Sequence, residues 1–229
     1  MIYAANFKMN HTRAGTKRYI DELLEGLDGK NSDDRVIVFP PASALDKYDD
    51  RLTIGAQNAY PAQNGAYTGE IGLQQLDEFG IDTILIGHSE RRTILKEDQE
   101  SVAEKFSFFK KEGFEIIYCI GEPIEIRQKG DDAVVEYLIS QFEGIDTEYD
   151  RLIVAYEPIW AIGTGRSATA EEIASTHKAI KRVVNAPLLY GGSVKPENTG
   201  EISSIDNVDG VLVGSAALSA DGFLKIIRG

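Results

Sequence analysis

Short apolar runs recur eight times along the 229-residue chain, and amphipathic segments separate them. The runs are rich in Ile, Val and Leu without strict alternation, which is typical of parallel strands covered on both faces. They span residues 2–7, 36–39, 53–57, 83–87, 115–120, 152–156, 187–190 and 208–213. Eight strands that alternate with helices predict a closed (β/α)₈ barrel, with residues 1–229 as one domain. On periodicity alone, an open doubly wound sheet is an alternative.

The segments between the runs carry a helical period. Ile20, Leu23, Leu24 and Leu27 follow the i, i+3, i+4, i+7 spacing of an amphipathic helix. Similar patterns predict helices over 101–111, 133–142 and 171–184. By contrast, residues 58–72 and 158–168 are long stretches without a helical pattern, each following a strand. Because the loops after barrel strands form the catalytic face, we expect both stretches to be functional.

The charge of the chain limits its partners. With 24 Lys and Arg against 37 Asp and Glu, the formal net charge is −13, which disfavours nucleic acid and anionic membranes as partners. An anionic ligand would need a site that is locally positive. Cys119 is the single cysteine and lies in an apolar run, so we expect it to be buried and expect no internal disulfide. The N-terminal residues lack the pattern of a signal peptide, and we expect a cytoplasmic protein.

Polar residues stand where the predicted strands end. Taken singly, each has an ordinary explanation, such as a solvated lysine, a structural histidine, a helix-capping carboxylate or a common glycine turn. In a barrel, however, the carboxyl ends of all strands meet at one mouth, and the positions together favour a site. The residues are Asn6 and Lys8 after the first run, His88 after the fourth, Glu157 after the sixth, Ser193 in a Gly-Gly-Ser turn after the seventh, and Gly214 and Ser215 after the eighth.

These residue types suit the enolisation of a phosphorylated hydroxy-ketone. Glu157 would be the carboxylate base, and His88, at the start of a predicted helical turn, would be an uncharged donor to the carbonyl oxygen. Lys8 would supply positive charge near the developing enediolate. Glycine turns before the last two helices would offer backbone N–H groups to the phosphate. The sequence therefore predicts a site for an anionic sugar phosphate on an acidic protein.

Five segments of the chain resemble the triosephosphate isomerase family, in order and over the whole length. They are Asn-Phe-Lys-Met-Asn at 6–10, Gly-His-Ser-Glu-Arg-Arg at 87–92, Ala-Tyr-Glu-Pro-Ile-Trp-Ala-Ile-Gly-Thr-Gly at 155–165, Tyr-Gly-Gly-Ser-Val at 190–194 and Asp-Gly-Val-Leu-Val-Gly at 209–214. The resemblance implies an isomerase that interconverts dihydroxyacetone phosphate and D-glyceraldehyde 3-phosphate, in glycolysis and gluconeogenesis, without a metal or other cofactor.

The resemblance also implies roles for individual residues. Glu157 would be the catalytic base and His88 the electrophile, while Asn6 and Lys8 would contact the substrate. Residues 161–165 would form the tip of a lid, and the loop over 57–72 would join two copies into a homodimer. The phosphate would be bound by Gly163, Ser193, Gly214 and Ser215.

The chain departs from the common family pattern in three places. It is shorter around the fifth to seventh helices, it has Arg166-Ser167-Ala168 after the lid tip, and it has Gly214-Ser215 at the last phosphate turn. None of these departures removes a backbone donor. They bear on the kinetics of the lid and leave the implied reaction unchanged.

Two other sequence patterns could indicate a different kind of site, but both lack the context that such a site needs. Residues 163–168 fit G-x-G-x-x-A, but Pro158 and Trp160 break the tight strand-to-helix turn that dinucleotide binding requires. The histidines at 11, 88 and 177 lack metal-site spacing. Two alternatives are open: another phosphate-binding barrel that acts on a larger phosphoribosyl substrate, and a phosphosugar-binding or scaffold protein without catalysis.

Overall fold

Each of the eight predicted runs forms a strand in the computed structural model, which describes residues 1–27, 33–162 and 167–229. Each strand begins within two residues of the start of its predicted run, but β3 falls short of its run, with two residues where five were predicted. They are β1 (Ile2–Asn6), β2 (Arg35–Phe39), β3 (Thr53–Ile54), β4 (Thr83–Ile86), β5 (Glu115–Ile120), β6 (Leu152–Tyr156), β7 (Leu188–Tyr190) and β8 (Gly210–Val213).

The strands are parallel and form one sheet in the order β3-β2-β1-β8-β7-β6-β5-β4. The two edges of this order, β3 and β4, meet at a single bridge between Ala56 and Ile84. There the backbone N–H of Ala56 donates to Thr83, and that of Leu85 donates to Ala56, each over 2.9 Å. The bridge closes the sheet into a barrel, so the predicted (β/α)₈ fold is confirmed and the open doubly wound alternative is wrong.

Helices follow the strands, and several begin at a side-chain cap. Thr12, Asp98, Thr169 and Ser219 each accept a hydrogen bond from a backbone N–H in the first turn of the helix they precede. In the described ranges the α-helices are α1 (Arg13–Gly26), α2 (Leu73–Glu78), α3 (Ser89–Thr93), α4 (Gln99–Lys111), α5 (Ile124–Arg127), α6 (Asp131–Ser140), α7 (Ala170–Ile180), α8 (Thr199–Ser203) and α9 (Ala220–Arg228).

Two segments differ from the prediction. The helix expected to run to residue 184 ends at Ile180, although Val184 is still buried beneath the following turn. The stretch expected to be irregular after β6 contains a short 3₁₀ turn, Ile159–Ala161. Pro158 precedes this turn with a φ of −62°, and its ring fixes that angle, so the turn is set locally rather than by apolar periodicity.

The core has two layers, and this explains the unbroken apolar runs. Alternate strand residues such as Ala4, Ile37, Ile117 and Ile153 fill the inside of the barrel. Their neighbours along the same strands pack outward against the helices. Cys119 belongs to the inner layer and is fully buried, as predicted, and burial raises the pKa of its thiol well above the usual value. Among the described helices, none has the length and apolar character to cross a membrane.

Candidate active site

The carboxyl ends of the strands surround a cavity of about 570 Å³. Seven of the eight predicted site residues line it, although they come from five different strand ends. Gly163, the eighth, lies outside the described residues, as do most of the predicted lid-tip residues; Ile162, just before them, lines the cavity. The predicted residues at the cavity wall are Asn6, Lys8, His88, Glu157, Ser193, Gly214 and Ser215.

Glu157 and His88 face each other at this cavity. Glu157 directly follows β6 and is 2% exposed, while His88 follows β4 and is 6% exposed. The His88 Nε2 atom lies 3.0 Å from the Glu157 Oε1 atom. The other carboxylate oxygen of Glu157, Oε2, accepts a hydrogen bond of 2.9 Å from the backbone N–H of Ser89. Two strand ends thus bring a buried carboxylate and a buried imidazole into direct contact.

Burial and mutual contact shift the pKa values of this pair in opposite directions. Burial raises the pKa of Glu157, but His88 and the Ser89 N–H lower it, and the net pKa lies below the usual value. Burial lowers the pKa of His88, but the Glu157 carboxylate raises it, and the net pKa lies above 6.5. A ligand that separates the two groups would leave burial as the dominant influence on both.

His88 also caps the short helix α3, as the predicted helical turn required. Its Nδ1 atom accepts a hydrogen bond of 3.2 Å from the backbone N–H of Glu90. A ring nitrogen that accepts carries no proton, so the neutral tautomer places its proton on Nε2, the atom that faces Glu157. The helix end therefore favours a neutral ring, because the Glu90 N–H donates to Nδ1, whereas the Glu157 carboxylate favours a protonated ring and raises the pKa. That His88 is neutral during a reaction stays a prediction.

Lys8 stands on a strained turn after β1. Its φ of 51° is left-handed, which a non-glycine residue adopts at a cost of about 1–3 kcal/mol. Two side chains hold the turn: the Lys8 N–H donates to Asn6 Oδ1 over 2.9 Å, and Gln57 Nε2 donates to the Lys8 carbonyl oxygen over 2.8 Å. Gln57 also donates to the Phe39 carbonyl oxygen, which ties this turn to β2. Strain held in this way fixes the direction of the Lys8 side chain.

The Lys8 ammonium has a carboxylate partner that the sequence analysis did not single out. Its Nζ atom lies 2.6 Å from Glu90 Oε1. On its other side, Lys8 passes close to the turn after β8, because a Cβ atom on Gly214 would lie only 3.3 Å from Lys8 Cε. Glycine thus lets the backbone approach the lysine. The positive charge sits between Glu90 and a predicted phosphate turn.

The two predicted phosphate turns precede the last two helices, each at a distance of several residues. The turn after β7 does not open a helix directly, because α8 begins only at Thr199; instead Asn198 donates to the Ser193 carbonyl oxygen over 2.9 Å and accepts from Lys195 N–H. The turn after β8 opens a 3₁₀ turn, Ser215–Ala217, with Gly214 before it. Both turns therefore precede helices, as predicted, but neither opens its α-helix directly, since α8 begins at Thr199 and α9 at Ala220; after β7 the Asn198 side chain sets the backbone.

A second buried carboxylate, Glu122, lies two residues after β5. It contacts the 3₁₀ turn Ile159–Ala161, which we call the lid stem because it leads into the predicted lid tip. Arg127 Nη2 lies 2.8 Å from its Oε1 atom, and the Tyr156 hydroxyl and Trp160 Nε1 donate to the same oxygen over 3.1 and 2.8 Å. Glu122 is fully buried. It does not line the cavity, and its partners hold it in place.

Four contributors to this site were not predicted from the sequence: Gln57, the Ser89 N–H, Glu90 and Asn198. Ser89 and Glu90 lie within the segment 87–92, so adjacency to His88 was an available signal. Gln57 and Asn198 act through contacts made only in the folded chain. Within the described ranges, no group of three or more His, Cys, Asp or Glu side chains is placed to hold a metal ion.

The fold and the site together define a class of enzyme: a (β/α)₈ barrel whose cavity holds a buried carboxylate–imidazole pair beside glycine-containing turns. More narrowly, the chain belongs to the triosephosphate isomerase family, whose profile matches residues 1–229. It is similar to the triosephosphate isomerase of Sulfurovum sp. (67% identical over 227 residues, 99% of each chain). The enzyme of that name from Nitratiruptor sp. is 56% identical over 228 residues, which cover 100% of this chain and 97% of the relative. That from Campylobacter jejuni subsp. doylei is 48% identical over the full length of both.

Proposed function

We propose that this protein interconverts dihydroxyacetone phosphate and D-glyceraldehyde 3-phosphate by proton transfer through an enediolate. The observation that carries the proposal is the contact between Glu157 and His88 at the cavity wall. Membership of the triosephosphate isomerase family supports the choice of substrate. The reaction belongs to glycolysis and gluconeogenesis, and a cytoplasmic location is part of the proposal.

Glu157 would act as the base. In the unliganded arrangement, His88 and the Ser89 N–H stabilise its charged form. A substrate that enters between Glu157 and His88 removes the first of these contacts, while the carboxylate stays buried. Its pKa then rises, which makes it a stronger base toward the carbon acid at the moment when the substrate is in place. Proximity supplies the rest, because the carboxylate is held at a strand end.

His88 and Lys8 would act on the oxygen atoms of the substrate. With its Nδ1 atom occupied by the Glu90 N–H, neutral His88 donates from Nε2 to a carbonyl oxygen and passes protons between two neighbouring oxygens. The Lys8 ammonium would stabilise the negative charge that develops on the enediolate, with Asn6 as its neighbour on β1. Their present partners, Glu157 and Glu90, keep both groups oriented toward the cavity.

The phosphate would be bound at the turns after β7 and β8. Ser193, Gly214 and Ser215 line the same cavity as the acid–base pair, and backbone N–H groups there can donate to phosphate oxygens. Gly163 would add a further donor from the lid. Backbone donors and the nearby Lys8 explain how a protein of charge −13 can bind an anion.

The test is turnover of glyceraldehyde 3-phosphate by the purified protein, beside the variant Glu157→Asp. Withdrawing the carboxylate by one methylene should lower kcat by roughly a hundredfold or more with little change in KM. Glu171→Asp is the matched control, since Glu171 is exposed in the first turn of α7, and it should keep full activity. If the folded wild-type protein binds phosphorylated trioses without turnover, the chain is a binding protein and the proposal fails.

We also propose that two copies associate through the loop 57–72. Large apolar side chains are exposed on this loop and on segments beside the cavity: Met9 is 97%, Ile94 69%, Leu95 60% and Tyr67 44% exposed. Exposed apolar side chains of this size are typical of a protein interface. Sedimentation at micromolar concentration should give a dimer mass; a monomer mass would remove the proposal.

A further inference from the structure

A partly buried polar network outside the cavity reaches the backbone beside both Glu157 and His88. It begins at Arg92, whose Nε atom donates to the Gly87 carbonyl oxygen over 2.8 Å. Gly87 directly precedes His88, so this bond holds the backbone that carries the imidazole. The other two guanidinium nitrogens donate to Tyr118 Oη over 2.9 Å and to Gln99 Oε1 over 2.8 Å. Arg92 thus links the end of β4 to β5 and α4.

Tyr118 and Gln99 carry the network to the end of α6. Tyr118 is fully buried on β5, and its hydroxyl accepts from Arg92 and donates to the Gln141 carbonyl oxygen. Gln99 Nε2 donates to the same oxygen over 2.9 Å and to the Glu143 carbonyl oxygen over 2.7 Å. The last turn of an outer helix is therefore fixed against the barrel wall by side chains rather than by apolar contact alone.

Gln141 turns inward and binds the backbone just beyond β5. Its Oε1 atom accepts from the Gly121 N–H, and its Nε2 atom donates to the Gly121 carbonyl oxygen, each over 2.9 Å. Gly121 follows the last residue of β5, and the side-chain amide pairs with it as a neighbouring strand would. Gln141 is 8% exposed, so these bonds are shielded from water.

Gly121 in turn lies against the backbone of the base. A Cβ atom at position 121 would come within 1.8 Å of the Glu157 carbonyl oxygen, so no side chain fits there. The Glu157 N–H donates to the Ile120 carbonyl oxygen over 2.7 Å, immediately before this contact. The position of Gly121 therefore sets the position of the Glu157 backbone.

We propose that Gln141, together with Tyr118 and Arg92, forms a bracket that sets the separation of His88 and Glu157, and that Gln141 is a positioning residue for the reaction. One end of the bracket holds the carbonyl group before His88, and the other holds the backbone beside Glu157. This inference rests on the proposed function. The phosphate turns belong to β7 and β8, which the bracket does not contact, so it acts on the reacting groups and leaves substrate binding alone.

The experiment compares two tyrosine variants that lose the same chemical group. Tyr118→Phe removes one of the two side-chain links from Arg92 to the Gln141 carbonyl oxygen, and the other, through Gln99, stays in place. Tyr149→Phe is the matched control, because its hydroxyl donates to the Phe114 carbonyl oxygen over 2.7 Å at the opposite end of β5. Gln141→Leu keeps the approximate size of the side chain and removes both bonds to Gly121, and the tyrosine pair keeps the test valid if this variant does not fold.

The kinetic readout is kcat against KM for glyceraldehyde 3-phosphate, with inorganic phosphate as the competing ligand. We expect kcat to fall roughly tenfold in Tyr118→Phe and up to about a hundredfold in Gln141→Leu, since small misplacements of reacting groups have effects of this size. KM and the inhibition constant of phosphate should stay within about twofold. Tyr149→Phe should match wild type in all three values. Equal kcat values in Tyr118→Phe and Tyr149→Phe, with an active wild type, would overturn the inference and leave the proposed function standing.

A second readout does not depend on turnover. The chain has three histidines, and the ring signal of His88 can be assigned in NMR spectra with a His88→Gln variant. Because contact with Glu157 raises the pKa of His88, loosening the bracket should lower its titration midpoint in Tyr118→Phe but not in Tyr149→Phe. An unchanged midpoint in Tyr118→Phe would overturn the bracket, even if the wild type proved inactive.

Discussion

Two regions of the molecule each contain a buried glutamate after a barrel strand and a buried histidine nearby, yet they are built differently. At the mouth, Glu157 and His88 contact each other and line the cavity. Beside the lid stem, Glu122 pairs with Arg127, while His177 on α7 packs its ring 5.8 Å from Tyr156 and contacts the Asn207 carbonyl oxygen through Nδ1. The first pair lies beside open space in the cavity, whereas Glu122 and His177 do not line it.

The difference shows that burial alone does not mark a functional carboxylate. Glu122 is fully buried and Glu157 is nearly so. The Oε1 atom of Glu122, however, accepts hydrogen bonds from three neighbouring side chains, namely Tyr156, Trp160 and the cation Arg127. Glu157 has an imidazole and one backbone N–H, beside open space. A carboxylate with a fixed cation holds elements together, whereas one with a replaceable partner can accept a proton.

The difference between the two carboxylates is tested most strongly by the same substitution, Glu to Gln, at positions 157 and 122. Glu157→Gln should lower kcat by roughly a thousandfold, because general bases contribute about 10²–10⁴. Glu122→Gln should keep kcat within about tenfold but lower the free energy of unfolding by about 3 kcal/mol, because Arg127, whose side chain is 11% exposed, loses its close charge partner and keeps only the exposed Asp131. Activity assays and urea unfolding measure the two effects. Equal kcat losses in the two variants would refute the distinction.

The two histidines sharpen the comparison through pH. Burial lowers the pKa of His177 to about 4, so between pH 6.5 and 4 the unfolded chain binds a proton that the folded chain does not. The free energy of unfolding should therefore decrease by about 3 kcal/mol over this window on account of His177. His88 acts on stability in the opposite direction, because its pKa is raised. Its contribution to the free energy of unfolding is complete below pH 6.5 and is lost as the pH rises above its pKa in the folded chain.

The measurement is urea unfolding of wild type and His177→Gln at pH 7 and pH 4.5. A glutamine amide can still donate to the Asn207 carbonyl oxygen, but it does not titrate. The variant should lose less stability than wild type on acidification, by about 2–3 kcal/mol. Parallel losses in the two proteins would show that His177 takes no part in the acid sensitivity of the fold.

The smallest expected effect concerns Trp160, which joins the Glu122 region to the lid stem. Trp160→Phe removes the 2.8 Å hydrogen bond to Glu122 and keeps an aromatic ring. A hydrogen bond to a charged acceptor contributes about 1.5–3 kcal/mol, so the free energy of unfolding should decrease by about 2 kcal/mol, less than in Glu122→Gln. Thermal unfolding checks this; a loss as large as that of Glu122→Gln would mean that Trp160, and not Arg127, holds the carboxylate.

The fold was predictable from sequence because it depends on periodic burial. Runs such as 115–120 and 152–156 coincide with strands residue for residue, since strands covered on both faces need continuous apolar sequence. The 3₁₀ turn Ile159–Ala161 and the early end of α7 were missed, because a proline and local capping decide them and leave little trace in periodicity.

The site was predictable as a set of strand ends, but its supporting contacts were not. Lys8, His88 and Glu157 come within two residues of the ends of their strands, so the barrel architecture alone brings them to one mouth. Gln57, Asn198 and the pairing of Lys8 with Glu90 depend on side-chain directions that only the folded backbone defines. The roles of all these residues in the reaction stay predictions until the variants are measured.

Neighbouring strands around the barrel are joined by unequal numbers of paired residues, and β3 and β4 meet at the single bridge between Ala56 and Ile84. The first and last strands, β1 and β8, pair over four residues. The joint with the fewest paired residues, between β3 and β4, lies in the interior of the sequence. A fluctuation that separates β3 from β4 would leave an open, curled sheet in which β1 and β8 are still paired. A circularly permuted chain with its new ends near residue 56 would therefore place them at the joint with the fewest paired residues, and we expect it to unfold there more readily than at the β1–β8 joint.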